Sequence, residues 1–178
     1  MPLFPSPVDG KLPKVHPEAF VAETAVVVGD VEIGPEANVW FGAVLRGDYG
    51  PIRVGARTSI QDNAVVHVEM GTSVTIGDDN IVGHGAIVHG PGKVGSRNVV
   101  GLGSILMQGH EVGDGCIIGA GALVRGSVPD RSLAVGVPAK VVRQTTDAQV
   151  AGTLAAVRGY VENGKAYRAK GLGTTSDP

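Results

Sequence analysis

The sequence predicts a parallel β-helix, on three observations. Stepping by six from Ile76 reads Ile76, Val82, Val88, Val94, Val100, Leu106, Val112, Ile118 and Val124, an unbroken run of branched aliphatics. The residue that follows is usually glycine: Gly77, Gly83, Gly95, Gly101, Gly113 and Gly119. Aromatics make up only 4% of the chain while glycine occurs 28 times, which suits a narrow core of small aliphatics. A hexapeptide period makes each short segment one side of a coil, with three sides to a turn.

The repeat continues upstream in shifted registers, first Val21, Val27, Ile33, Val39 and Leu45, then Val54, Ile60 and Val66. Leu45 to Val54 is six plus three and predicts a loop at Asp48–Pro51; Val66 to Ile76 is six plus four and predicts another near Glu69–Ser73. Seventeen hexapeptides make nearly six coils. At about 4.8 Å between stacked strands, the prism would be about 25–30 Å tall. Thr58, Asn80, Asn98 and Cys116 share one inward column, Ala64, Ala86, Ser104 and Ala122 another. Stacked asparagines in such a column can form amide ladders, and Cys116 reads as a small buried hydrophobe.

The repeat ends near Val128, and Gly136–Lys140 reads as a turn into a closing strand. Thr146 with Gln149 three residues later has capping-box form. Val150, Leu154, Val157 and Val161 then fall on one helical stripe that would cover a side of the prism. The chain reads as one domain, 1–178, with the β-helix at about 15–143, the helix at about 147–164 and a disordered tail at 171–178. A net charge of -2 without a basic run points away from nucleic acid and anionic lipid. The proline-rich N-terminus lacks the apolar stretch of a signal peptide, and no apolar segment is long enough to span a membrane. A single cysteine excludes an internal disulfide and favours a reducing, cytoplasmic setting.

Chemistry is expected where the repeat breaks. The glycine is replaced at every third hexapeptide, by His89, Met107 and Arg125. Counting back one coil at a time, with the loops subtracted, places Arg46, His67, His89 and Met107 in one column. Neighbours there stand about one strand spacing apart, about 4.8 Å. Two imidazoles so placed can share a metal, whose bonds to histidine nitrogen are about 2.0–2.1 Å. His84 has another phase and stacks with Asp62, so it points elsewhere. If all three histidines serve one ion, a closed assembly must bring His84 in from a neighbouring copy, and a three-sided prism suggests a trimer. His16 and His110 read as surface histidines.

Leu45-Arg-Gly-Asp-Tyr, Ile60-Gln-Asp-Asn, His67 and Val82-Gly-His-Gly-Ala-Ile-Val-His89-Gly together resemble the γ-class carbonic anhydrases, over about residues 8–165. The resemblance implies a left-handed β-helix with a C-terminal α-helix, a homotrimer, and a metal at each subunit interface. The ion would be Zn²⁺, with Fe²⁺ or Co²⁺ as alternatives. His67 and His89 would come from one subunit and His84 from the next. Arg46 and Asp62 would form the intersubunit salt bridge, with Asp48 a further partner. Gln61 would orient the attacking solvent, and Tyr160 would approach from the helix. The implied reaction is reversible hydration of carbon dioxide to bicarbonate. The shuttle loops are short, with Tyr49 in one and Glu69 in the other, which implies slow proton export. Two rivals share the prism: a non-catalytic metal-bearing scaffold or small-molecule-binding protein, and an acyltransferase using CoA.

Overall fold

The computed structural model describes residues 3–173. The chain winds as a parallel β-solenoid, and all seventeen repeat aliphatics named above point inward, none more than 4% exposed. One side carries seven parallel rungs: Phe20–Val21, Asn38–Val39, Ser59–Ile60, Ile81–Val82, Val99–Val100, Ile117–Ile118 and Ser132–Val135. That exceeds the expected coil count because Ser132–Val135 stacks beyond the last hexapeptide and carries Ala134 into the core. The closing strand Lys140–Gln144 then returns antiparallel to it.

The three sides differ in what they present outward. On the first side, described above, Phe20, Asn38, Ser59 and Ile81 face out yet are buried, because the C-terminal helix lies over the strands of that side. On the third side the outward column is Glu32, Arg53, Thr75, Lys93, Glu111 and Ser127, which suits water. The second side pairs Val26, Val44, Val65, Ile87, Ile105 and Leu123 down its outer surface. It is apolar like the first, but no element of the described residues covers it, and Ile87 is 37% exposed.

Inside the prism, the amide ladder of sequence expectation takes another form. The Asn80 N–H donates to Thr58 Oγ1, the Asn98 N–H to Asn80 Oδ1 and the Cys116 N–H to Asn98 Oδ1, at 3.1, 2.9 and 2.6 Å. Side chains thus serve the backbone of the next coil instead of one another, because each corner turns its amide N–H inward, where no strand partner reaches it. Cys116 is fully buried, as its column requires.

The expected loop at Asp48–Pro51 is absorbed into one long strand, Val44–Val54. It pairs with Val26–Ile33 as Gly29↔Gly47 and then Val31↔Ile52, so Asp30 alone faces the four residues between. An insertion of this kind bends the strand and re-aims its side chains without ending the pairing. The second insertion remains a loop, tied back by the Gly71 N–H, which donates to the Tyr49 carbonyl at 3.0 Å.

The helix runs Asp147–Ala169 and opens with the Thr146/Gln149 capping box, both reciprocal bonds present, a device that stabilises such an end by about 1 kcal/mol. Thr153, Val157, Val161 and Gly164 form its buried stripe. Gly164 allows close approach, since a β-carbon there would lie 3.2 Å from Phe20 Cβ. Of the tail expected to be disordered, 171–178, the described part makes defined contacts: Gly173 forms an antiparallel bridge with Ala22, and the Leu172 N–H donates to the Tyr167 carbonyl. Residues 174–178 lie outside the described residues.

Candidate metal centre

Strand register sets the first column. Val28 pairs with Arg46, Arg46 with His67 and His67 with His89, each one coil from the next. All follow an inward aliphatic, so alternation turns them outward at the edge where the second side meets the third. The His67 and His89 rings meet edge to face, with centroids 5.4 Å apart. Among the described residues, His89 Nδ1 is buried without a hydrogen-bond partner.

The bulge aims Asp48 into this column. Its Oδ2 takes a bond from Arg46 at 2.5 Å, and its Oδ1 lies 3.3 Å from His67 Nε2. Burial pushes the Asp48 carboxyl up, but the Arg46 hydrogen bond and charge outweigh it and hold its pKa below the usual value. Burial, then the Arg46 charge, holds the His67 pKa below 6.5 against the pull of Asp48, so the ring is neutral at pH 7. Tyr49, from the same bulge, stands against His67 with ring centroids 5.9 Å apart. Glu69 is exposed on the neighbouring loop.

Gln61, Asp62 and His84 lie on turns at the opposite edge of the second side, between it and the helix-covered side. His84 Nδ1 is 2.9 Å from Asp62 Oδ2, and both side chains are more than a third exposed. Gln61 is buried and follows Ile60 as Trp40 follows Val39, the partner of Ile60 one coil earlier. Tyr160 meets Trp40 edge-on, with centroids 6.0 Å apart, in a group that includes Phe20 and Tyr167.

Within one chain, then, Arg46 is paired with Asp48, and Asp62 stands by His84. Among the described residues, no three histidine, cysteine or acidic side chains of a single chain converge as a metal site. Two imidazoles do, and they suit a divalent cation: they adjoin, His67 is neutral, and a buried nitrogen of His89 has no protein partner.

The surface reading of His110 is overturned, for its side chain is fully buried. His110 and Val112 both point inward from one strand, as Val74 and Ile76 do two coils earlier. The available signal was Gly92, one coil of 18 residues before it: a missing side chain beneath which a large one fits.

Over 165 residues the chain is 40% identical to a carbonic anhydrase of Geobacillus kaustophilus, covering 92% of this chain and 90% of that protein. The chain belongs to the γ-class carbonic anhydrase family. It is also 38% identical over 168 residues to the mitochondrial γ carbonic anhydrase 1 of Arabidopsis thaliana, 90% of this chain but 61% of the plant protein. Among solved structures, a Bacillus cereus protein described as an acetyltransferase superposes with a TM-score of 0.89 at 36% identity, over 94% of this chain and 96% of that one. No family model matches the chain. The residues that carried the resemblance in sequence, Arg46, Asp48, Gln61, Asp62, His67, His84 and His89, all stand on the two edges of the second side.

Proposed function

We propose that this protein is a metal-dependent carbonic anhydrase that interconverts carbon dioxide and bicarbonate as a homotrimer. The observation that carries the reading is the division of the site. Arg46, His67 and His89 line one edge of the bare apolar side, and Gln61, Asp62 and His84 line the other. Rotation about a three-fold axis would lay one edge of a copy against the other edge of the next, covering the apolar column and joining His84 of one copy to His67 and His89 of another. Exposed Ile87, and Leu102 in the His84 column, would be buried by the same step.

A divalent cation held there, zinc or alternatively iron or cobalt, supplies Lewis acidity that activates water near neutral pH. The chain's own residues do the rest. Neutral His67 is ready to act as a donor without first losing a proton. Asp48 and Arg46 fix the His67 ring, as the outer partners of a ligating histidine do. Asp62 orients His84 in the same way, and across copies it is the acceptor for whatever Arg46 donors Asp48 leaves free. Gln61 orients the attacking water and carbon dioxide by its amide. Tyr160, against Trp40, forms part of the wall behind Gln61. Tyr49 and Glu69 sit beside the site, and Glu69 is the one exposed carboxylate there that can pass a proton to buffer. Among the described residues, no helix is long and apolar enough to cross a membrane, and a cytoplasmic setting is part of the same proposal.

Stopped-flow carbon dioxide hydration on zinc- and iron-loaded protein tests the proposal. Metal-replete protein without hydration at any buffer concentration would transfer the site to a metal-bearing scaffold. The description of the Bacillus cereus relative favours one rival, acyl transfer; release of CoA thiol from acetyl-CoA in the presence of amine acceptors, with no hydration, would establish it instead.

A further inference from the structure

His110 is the largest polar side chain sealed inside the prism, and the proposed reaction does not use it. Its inward column reads Ile52, Val74, Gly92 and His110, so an aliphatic is replaced by glycine directly above the histidine. The ring rises into that gap: a β-carbon built on Gly92 would lie 2.1 Å from His110 Cε1 and 2.4 Å from each ring nitrogen. One nitrogen is anchored, because Nδ1 donates to the Met107 carbonyl at 2.9 Å. The other, Nε2, is buried without a hydrogen-bond partner among the described residues. The imidazole therefore stands behind the turn His89–Gly92, joined to the backbone at Met107, which follows His89 in the next coil. Gly90 has no slack on this turn, as a β-carbon there would lie 2.4 Å from Val74 Cγ2.

We propose that His110 is a positioning residue for His89: wedged over Gly92 and tied to Met107, it sets from inside the prism where the His89 backbone, and hence the imidazole, stands. This rests on the metal reading above. An aliphatic would fill the same volume, but it would lose the ring's own bond and leave the Met107 carbonyl only the His110 backbone N–H, 3.1 Å away.

The test measures zinc affinity of the full-length protein by chelator competition, with the visible spectrum of the cobalt-loaded form as a report on ligand geometry. His110→Ala should weaken zinc binding about 10- to 100-fold, the usual effect of removing an outer-shell partner, and change the cobalt bands. Gly92→Ala should do the same, because its methyl displaces the ring. The double variant Gly92→Ala/His110→Ala should bind more tightly than Gly92→Ala alone, since the methyl then refills the gap. His110→Asn, which keeps a donor for Met107, should recover part of the loss. A folded His110→Ala protein with wild-type zinc affinity and cobalt spectrum overturns the proposal. If that variant does not fold, the double variant and His110→Asn give the same readouts. Wild-type protein that takes up no metal overturns the metal reading and this inference with it, whereas wild-type uptake with unchanged variants overturns this inference alone.

Discussion

Asp62 Oδ2 lies 2.9 Å from His84 Nδ1, on the edge of the uncovered side opposite His67 and His89. In the proposed trimer, the division of the histidines between two edges would make assembly and metal binding one linked event. The protein is expected to sediment as a trimer when metal-loaded, and chelator should lower its association constant. His84→Ala should leave the coils intact by circular dichroism and lose the metal. A stable monomer retaining one metal per chain would sink the shared site.

Gln61→Ala should leave metal content unchanged and lower the hydration rate by about 10-fold or more, or about 1.4 kcal/mol of transition-state stabilisation. His89→Ala should remove metal and rate together, since two imidazoles cannot hold an open tetrahedral site. Because Glu69 is the lone exposed carboxylate on the loops beside His67, wild-type turnover should rise with added imidazole buffer. Metal analysis beside stopped-flow rates at several buffer concentrations separates the three effects, and a Gln61→Ala rate equal to wild type would remove Gln61 from the reaction.

Arg46→Ala should raise the His67 pKa. Burial, the largest cause of its depression, remains, but the repulsion from the guanidinium is gone, so Asp48's pull toward the charged ring counts for more. Protons compete with metal for imidazole, so what holds the His67 pKa down favours metal binding as the pH falls. The variant should lose metal at a higher pH. Histidine NMR titration of the metal-free protein measures the shift directly, and an unchanged or lower His67 pKa contradicts the role given to Arg46. The variant should also associate more weakly; with Arg46 side chain 42% exposed, solvent screening holds the stability cost to about 1 kcal/mol.

Asn80→Ala should cost more stability than Asn98→Ala. Asn80 accepts from the Asn98 N–H and donates to the Gly95 carbonyl, both buried contacts. Asn98 accepts from the Cys116 N–H, while its own Nδ2 has no partner among the described residues. Each orphaned buried group costs about 1–3 kcal/mol, so the first variant loses two such terms and the second one. Urea unfolding of both, with unchanged slopes, decides it; an equal or larger loss for Asn98→Ala would show that the ladder is not the main support of these corners.

Solenoid architecture was legible from residues alone because a period of six forces the same inward direction on Ile76, Val82 and every later member, whatever surrounds them. The same arithmetic stacked Arg46, His67 and His89, since one coil of displacement is a fixed strand spacing, and it separated Asp62 and His84 from them. Thr146 and Gln149 marked the helix start through chemistry confined to one turn. The tertiary structure decided what depends on distances between coils and on which side is covered. Asp48–Pro51 became a bulge in a continuous strand because Asp30 and its neighbours kept pairing on both sides of it, and that bulge brought Asp48 to Arg46 and His67. His110 went inside because Gly92, a full coil away in sequence, left room for an imidazole. Hexapeptide counting fixes direction but not the space left by a neighbour, and only the stacked coils reveal that space.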